Sequence, residues 1–104
     1  MEAMYTSEWR GRVLRITLHG EIDHHNAAHL RTGVDGEIYL YRPQKLELSL
    51  GGVTFMDSAG LGFFMGRYEL CRGIGAGMVL LDVPPDVQKI LTLSGFDRVL
   101  CREG

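Results

Sequence analysis

The chain is expected to fold as a single α/β domain, with a mostly parallel central sheet, an antiparallel hairpin at its start and helices after the later strands. Three observations lead there. Segments of strand character alternate with segments of helical period in the order strand, strand, helix, strand, helix, strand, helix, strand. Such alternation implies crossovers between parallel strands. The first two strand segments are separated only by a short glycine-containing turn, which makes them a hairpin. The 104 residues suit one domain and leave no room for a second, so 1–104 is read as one unit.

Met4 to Trp9 forms the first strand, and Gly11 lies in the turn after it. "RVLRITLHG" is the second, with Val13, Ile16 and Leu18, and it ends at Gly20. Asp23 follows as the expected N-cap of the first helix. Ala27, Leu30, Val34, Ile38 and Tyr41 recur at helical spacing, Gly33 and Gly36 each weaken that helix by about 1 kcal/mol relative to alanine, and Pro43 stops it. "KLELSL" alternates apolar and polar residues, a strand with one face in the core.

"VTFMDSAGLGFFMGRY", residues 53–68, begins as a strand and closes with Leu61, Phe64, Met65 and Tyr68 at the spacing of a helix face. That second helix ends near residues 73–77. "MVLLDV" has the apolar character of a central strand. Pro84-Pro85-Asp86 starts a third helix that Ser94-Gly95 closes, and "RVLC", residues 98–101, reads as a final strand.

Composition excludes several classes. The chain is 45% hydrophobic and 23% charged, the profile of an ordinary globular domain. Eleven basic and 13 acidic residues give a net charge of −2, and no Lys/Arg stripe marks a nucleic-acid or anionic-membrane footprint. No apolar run approaches the roughly 20 residues of a membrane span. Met1 to Arg10 lacks a signal pattern. Cys71 and Cys101 are too few for a disulfide framework and read as buried free thiols, which points to the cytoplasm.

The chemistry concentrates where strand becomes helix: Asp57, Ser58, Ala59, Gly60, then Gly62. Ser58 has three readings. It can be a plain N-cap. It can be a nucleophile, since "MDSAG" resembles G-x-S-x-G without its first glycine. However, His19, His24, His25 and His29 all precede Ser58, against the order of hydrolase triads, and the domain is small for a hydrolase. It can also be a modification switch. A helix N-terminus can host a phosphate, and the small neighbours admit another protein's active site. A phosphoryl group adds about −1.5 to −2 charge, comparable to the net charge of the whole domain. Composition does not choose between the cap and the switch.

"GEIDHHNAAHL" (residues 20–30) and "GGVTFMDSAGLGFFMGRY" (51–68) resemble the signature segments of STAS-domain anti-sigma factor antagonists, and the sporulation branch most of all. "GAGMVLLDVPPDVQKILTLSGFDRVL" follows the same pattern, so the resemblance spans nearly the whole chain. It implies that Ser58 is phosphorylated by the anti-sigma factor, itself a serine kinase. The unphosphorylated form binds that kinase and releases its sigma factor, and a PP2C-type serine phosphatase restores it. The protein would then be a substrate and a switch with no catalytic residues, no cofactor and no metal, a monomer touching neither nucleic acid nor membrane. Many members carry a second serine where this chain has Ala59, and relatives commonly add a terminal helix beyond the position of Gly104. The other reading is a STAS module that binds a small ligand such as a nucleotide, or serves as a scaffold in a stress-signalling complex.

The partner-binding residues expected on this basis are Asp23, His24, Asp57, Ala59, Gly60, Leu61, Gly62 and Phe63. Asp23 would both cap its helix and meet the partner. Leu61, Phe63, Phe64 and Met65 are more apolar positions than one helix stripe holds, so Phe63 is expected to project outward, with Met56 and Phe64 inward. His25 and His29 at i, i+4 have a spacing able to share a metal, but nothing completes a site, and they read as a solvated helix face.

Overall fold

The computed structural model describes residues 4–98. Its elements are β1 (Met4–Arg10), β2 (Val13–Ile22), α1 (Ala27–Tyr41), β3 (Lys45–Met56), α2 (Ser58–Gly73), β4 (Gly77–Leu81) and α3 (Pro85–Ser94). They build one four-stranded sheet in the order β1-β2-β3-β4, antiparallel between β1 and β2 and parallel thereafter. This is the mixed sheet expected from the sequence. The hairpin turns on two residues, and Gly11 takes φ +59° at the first of them, as a type II′ turn requires. Parallel pairing needs crossovers, and α1 and α2 supply them.

β3 is longer than the alternating run suggested, because two extra residues are built into it. Thr17 pairs with Ser49 but His19 with Gly52, and Gly20 pairs with Val53 but Glu21 with Phe55. Each of these bulges resets which side chains face the core. Buried apolar positions therefore run Leu46, Leu48, Leu50, then Val53, then Met56. Leu14, Ile16 and Leu18 of β2 complete that layer. Leu30, Val34 and Ile38 of α1, Phe64 of α2 and Leu91 of α3 close the core over it.

Several expectations are corrected. α1 begins at Ala27 with Asn26 in the N-cap position, so Asp23 caps a preceding turn and not the helix. His25 lies in that turn, before the helix, so His25 and His29 do not share a helix face. Among the described residues no three His, Cys, Asp or Glu side chains gather as a metal site would need. Among the described residues β4 pairs with β3, and its apolar run is partly covered on both faces. The final strand expected at 98–101 and Cys101 lie outside the described residues, except Arg98, whose N–H closes a helical turn onto Gly95 O at 3.2 Å. Cys71 is buried as expected, and burial pushes its thiol up to about 11. No helix among the described residues is long and apolar enough to cross a membrane.

One buried ion pair ties the two crossover helices. Arg67 of α2 is only 5% exposed, and its Nε lies 2.7 Å from Asp35 Oδ1 of α1. Burial pushes the Asp35 carboxyl up and the Arg67 guanidinium down, against the attraction between them. Removing one partner strands the other charge in the interior. Asp35→Ala is therefore expected to cost about 3 kcal/mol, read as a lower urea midpoint at unchanged slope. A loss below about 0.5 kcal/mol would show that the pair does not hold α1 on α2.

Candidate functional site

β2 and β3 end side by side, with Ile22 in register with Met56. The residues that follow each strand, Asp23 and Asp57, therefore open two adjacent turns at the carboxyl end of the sheet. That is where open α/β sheets place their sites. The Asp57 N–H donates to Ile22 O at 3.3 Å and joins the two turns directly.

The first turn is closed on itself. Asp23 Oδ1 accepts from the N–H of His25 at 2.9 Å and of Asn26 at 3.2 Å. Asn26 reaches back, accepting from the Asp23 N–H at 3.0 Å and donating through Nδ2 to Glu21 O at 2.7 Å. Asn26 is the residue the sequence reading missed. The signal was present, because an Asp and an Asn three apart can bracket a turn.

In the second turn Asp57, not Ser58, is the N-cap of α2. Its Oδ1 accepts from the Ala59 N–H at 2.8 Å, and its carbonyl accepts from Gly60 at 3.0 Å. Ser58 is the first helical residue and is exposed. Asp57 precedes a helix whose opening N–H groups have no internal acceptor, and a β-region carboxylate is a good cap. Desolvation works to raise the Asp57 carboxyl. Hydrogen bonds from the backbone of Ala59, His24 and Gly60 and from the His24 side chain outweigh it, and the group sits below its usual range. His24 Nδ1 lies 3.6 Å from Asp57 Oδ2 and bridges the two turns.

Gly60 sets how closely α2 follows β3. A Cβ there would lie 2.2 Å from Met56 Cγ and 3.1 Å from Ile22 O. The Met56 side chain can swing aside; the Ile22 carbonyl is held by the sheet. Gly62 faces open space instead, and a methyl group added to it would meet nothing within 4 Å.

The fold thus gathers Asp23, His24, Asp57, Ser58, Ala59 and Gly62 at one end of the sheet. Three other expected residues take different places. Gly60 is buried beneath the turn, and Leu61 is half-buried against the core. Phe63 is a correction: it is 4% exposed, packed edge-on to Phe64 with the Arg67 guanidinium 5.1 Å from its ring centroid. The overfull stripe is relieved by Met65, 47% exposed. Phe55, 51% exposed at the end of β3, went unnoticed because its outward direction depends on the two bulges.

Chemically, the site offers an accessible hydroxyl beside a carboxylate. Among the described residues no histidine hydrogen-bonds to Ser58, and His24 faces Asp57 instead. Among the described residues no histidine is placed to act as general base for Ser58.

The family model of the STAS domain matches residues 5–102. The chain is 39% identical over 88 residues to the anti-sigma F factor antagonist of Paenibacillus polymyxa, an alignment covering 85% of this chain and 75% of that one. Its fold superimposes on the anti-sigma factor antagonist SpoIIAA in its unphosphorylated form with a TM-score of 0.77 at 28% identity, covering 88% of this chain and 81% of SpoIIAA. It also matches the Bacillus cell fate determinant SpoIIAA in the phosphorylated form, with a TM-score of 0.74 at 26% identity, covering 96% and 87%.

Two outcomes follow from the geometry. Gly60→Ala is expected to lose about 1–3 kcal/mol by overpacking against Ile22 O, whereas Gly62→Ala should gain up to about 1 kcal/mol of helix propensity. Equal stabilities in chemical unfolding would contradict the close approach at Gly60. The depressed Asp57 carboxyl adds stability above its unfolded value of 3.8, and this is lost as pH falls through the lower folded value. The melting-temperature advantage of wild type over Asp57→Asn should therefore shrink between neutral pH and about pH 2.5, and a constant difference would deny the carboxylate its role.

Proposed function

This chain belongs to the STAS domain family, and from that premise we propose that it is an anti-sigma factor antagonist switched by phosphorylation at Ser58. In the unphosphorylated state it binds an anti-sigma factor serine kinase in the cytoplasm and frees the sigma factor. That kinase transfers the γ-phosphoryl group of ATP to Ser58 Oγ, leaving ADP and a proton. A PP2C-type serine phosphatase hydrolyses the phosphoserine and returns the active form. The protein itself supplies no catalytic group.

The observation that carries this reading is the placement of Ser58. It is exposed on the first turn of α2, beside Ala59 and Gly62, and next to the turn that holds Asp23 and His24. Another protein's active site can reach the hydroxyl without unfolding anything. The phosphorylated and unphosphorylated SpoIIAA structures, both similar to this chain, support a modification-controlled switch.

The Asp57 carboxylate already accepts from the Ala59 N–H, one of the donors that open α2. A phosphate on Ser58 would therefore sit outside the cap, adding about −1.5 to −2 charge beside the existing −1 of Asp57. Concentrated like charge at a contact surface, with nothing to pair it, opposes association. The domain needs no second conformation for this. Discrimination follows from charge and bulk on one end of the sheet.

The test uses the anti-sigma F factor of Paenibacillus polymyxa and ATP with wild type and Ser58→Ala. Wild type is expected to take up one phosphate and Ser58→Ala none; equal incorporation would remove Ser58 from its role. Backbone amide shifts of the two forms should differ only around Asp23 and Ser58. Changes spread through β1 and α3 would mean an internal rearrangement instead of a surface effect.

A further inference from the structure

A groove of about 430 Å³ runs between α1 and α2, and Ala59, the residue after Ser58, is part of its lining. Ala27 and Ala28 wall it on the α1 side. Ala59, Gly62 and Gly66 wall it on the α2 side, spaced i, i+3, i+7 along one stripe. Nothing lies within 4 Å of where a methyl group on Gly62 or Gly66 would sit, so the space above both is free.

Small walls admit a ligand without specifying one; the charges lining the groove do that. Arg67, 5% exposed, lines it, and while its Nε faces Asp35, its Nη1 has no hydrogen-bond partner among the described residues. Arg31 lines the same groove from α1, is exposed, and is close enough to act electrostatically on both Asp35 and Arg67. The described lining residues include two guanidinium groups and no carboxylate. Both cations act on the carboxylate of Asp35, and among the described residues the buried Nη1 of Arg67 is left without an acceptor. Such a donor costs stability until an acceptor arrives.

We propose that this groove seats a carboxylate side chain of the partner protein, carried on a segment that packs between α1 and α2 beside Ser58. The proposal rests on the partner-binding reading above and assigns it a recognition element. A carboxylate balances the second guanidinium and can accept charge-assisted hydrogen bonds from Arg67 and Arg31. The small residues let the partner's chain approach far enough for that side chain to reach the floor. Ala59, which follows the phosphoacceptor in the chain, is among the residues that line the groove. A phosphate on Ser58 would then repel the incoming carboxylate.

Binding of the Paenibacillus polymyxa anti-sigma F factor to full-length wild type, Arg31→Glu and Gly66→Leu separates the outcomes. Arg31→Glu reverses a charge at an exposed position and is expected to weaken binding at least about tenfold and flatten its salt dependence. Gly66→Leu fills the groove and should weaken binding comparably with a melting temperature at or above wild type, since leucine is the better helix former. Gly36→Ala, on α1 outside the groove, should bind as wild type does. Binding by both groove variants within about twofold of wild type overturns the proposal.

A second arm needs no partner. Acetate, and separately inorganic phosphate, is titrated into the isotopically labelled chain and read at the Gly62 and Gly66 amides and the Arg67 Nε–H. Saturable shifts with acetate that vanish in Arg31→Glu uphold the carboxylate site. Shifts with phosphate alone make it a phosphate site and overturn the proposal, as do no shifts at all. If wild type fails to bind the anti-sigma factor while the acetate arm succeeds, the antagonist reading falls and the carboxylate site stands.

Discussion

Everything at the functional end of this domain depends on how close α2 comes to the strands beneath it. Gly60 is the contact point. Its backbone sits over Met56 and the carbonyl of Ile22, where even one methyl group would overlap. That seat fixes the height and rotation of α2 from its first turn, and both consequences matter. The rotation sends Phe63, Phe64 and Tyr68 into the core and leaves Met65 outside. The height brings the Asp57 cap within reach of the Asp23 turn, so that a backbone bond to Ile22 and the His24 side chain can join the two.

The two turns divide the work of holding the site. In the Asp23 turn the polar groups satisfy one another, with Asn26 as the bracket, and little is left over for a partner except the His24 and His25 rings, whose centroids lie 4.0 Å apart. In the second turn the capping task falls to Asp57, and this frees the Ser58 hydroxyl. A serine that had to cap its own helix would lose that hydrogen bond on modification. A serine in the first helical position, with a carboxylate capping in front of it, can gain a phosphate without unmaking the helix start. The same carboxylate would keep a phosphate on Ser58 outside the helix N-terminus.

The Asp35–Arg67 pair extends this logic along the helices. It lies below the groove that begins at Ala59, and it holds α1 and α2 at a spacing where small residues on each leave room between them. A hydrophobic pair would pack the helices as well or better. The ionic pair keeps a guanidinium, itself 5% exposed, among the residues that line the groove.

Much of this was determined by the sequence alone. The alternation of periods set the element order, and Gly11, Pro43, the Pro84-Pro85 pair and Gly95 marked the boundaries where backbone geometry is local. The serine among small residues at a strand-to-helix junction marked the candidate site, and its neighbours in sequence carried the family likeness. What the sequence could not determine were relations between elements. The start of α1 moved from Asp23 to Asn26 because the two side chains bracket each other in space. Phe63 turned inward because Gly60 sets the rotation of its helix, and an overfull apolar stripe does not say which member is left out. The direction of Phe55 waited on two extra residues in β3, visible only as a register against β2. Local chemistry is written along the chain, whereas facing, register and the pairing of Arg67 with Asp35 across two helices exist only once the chain has packed.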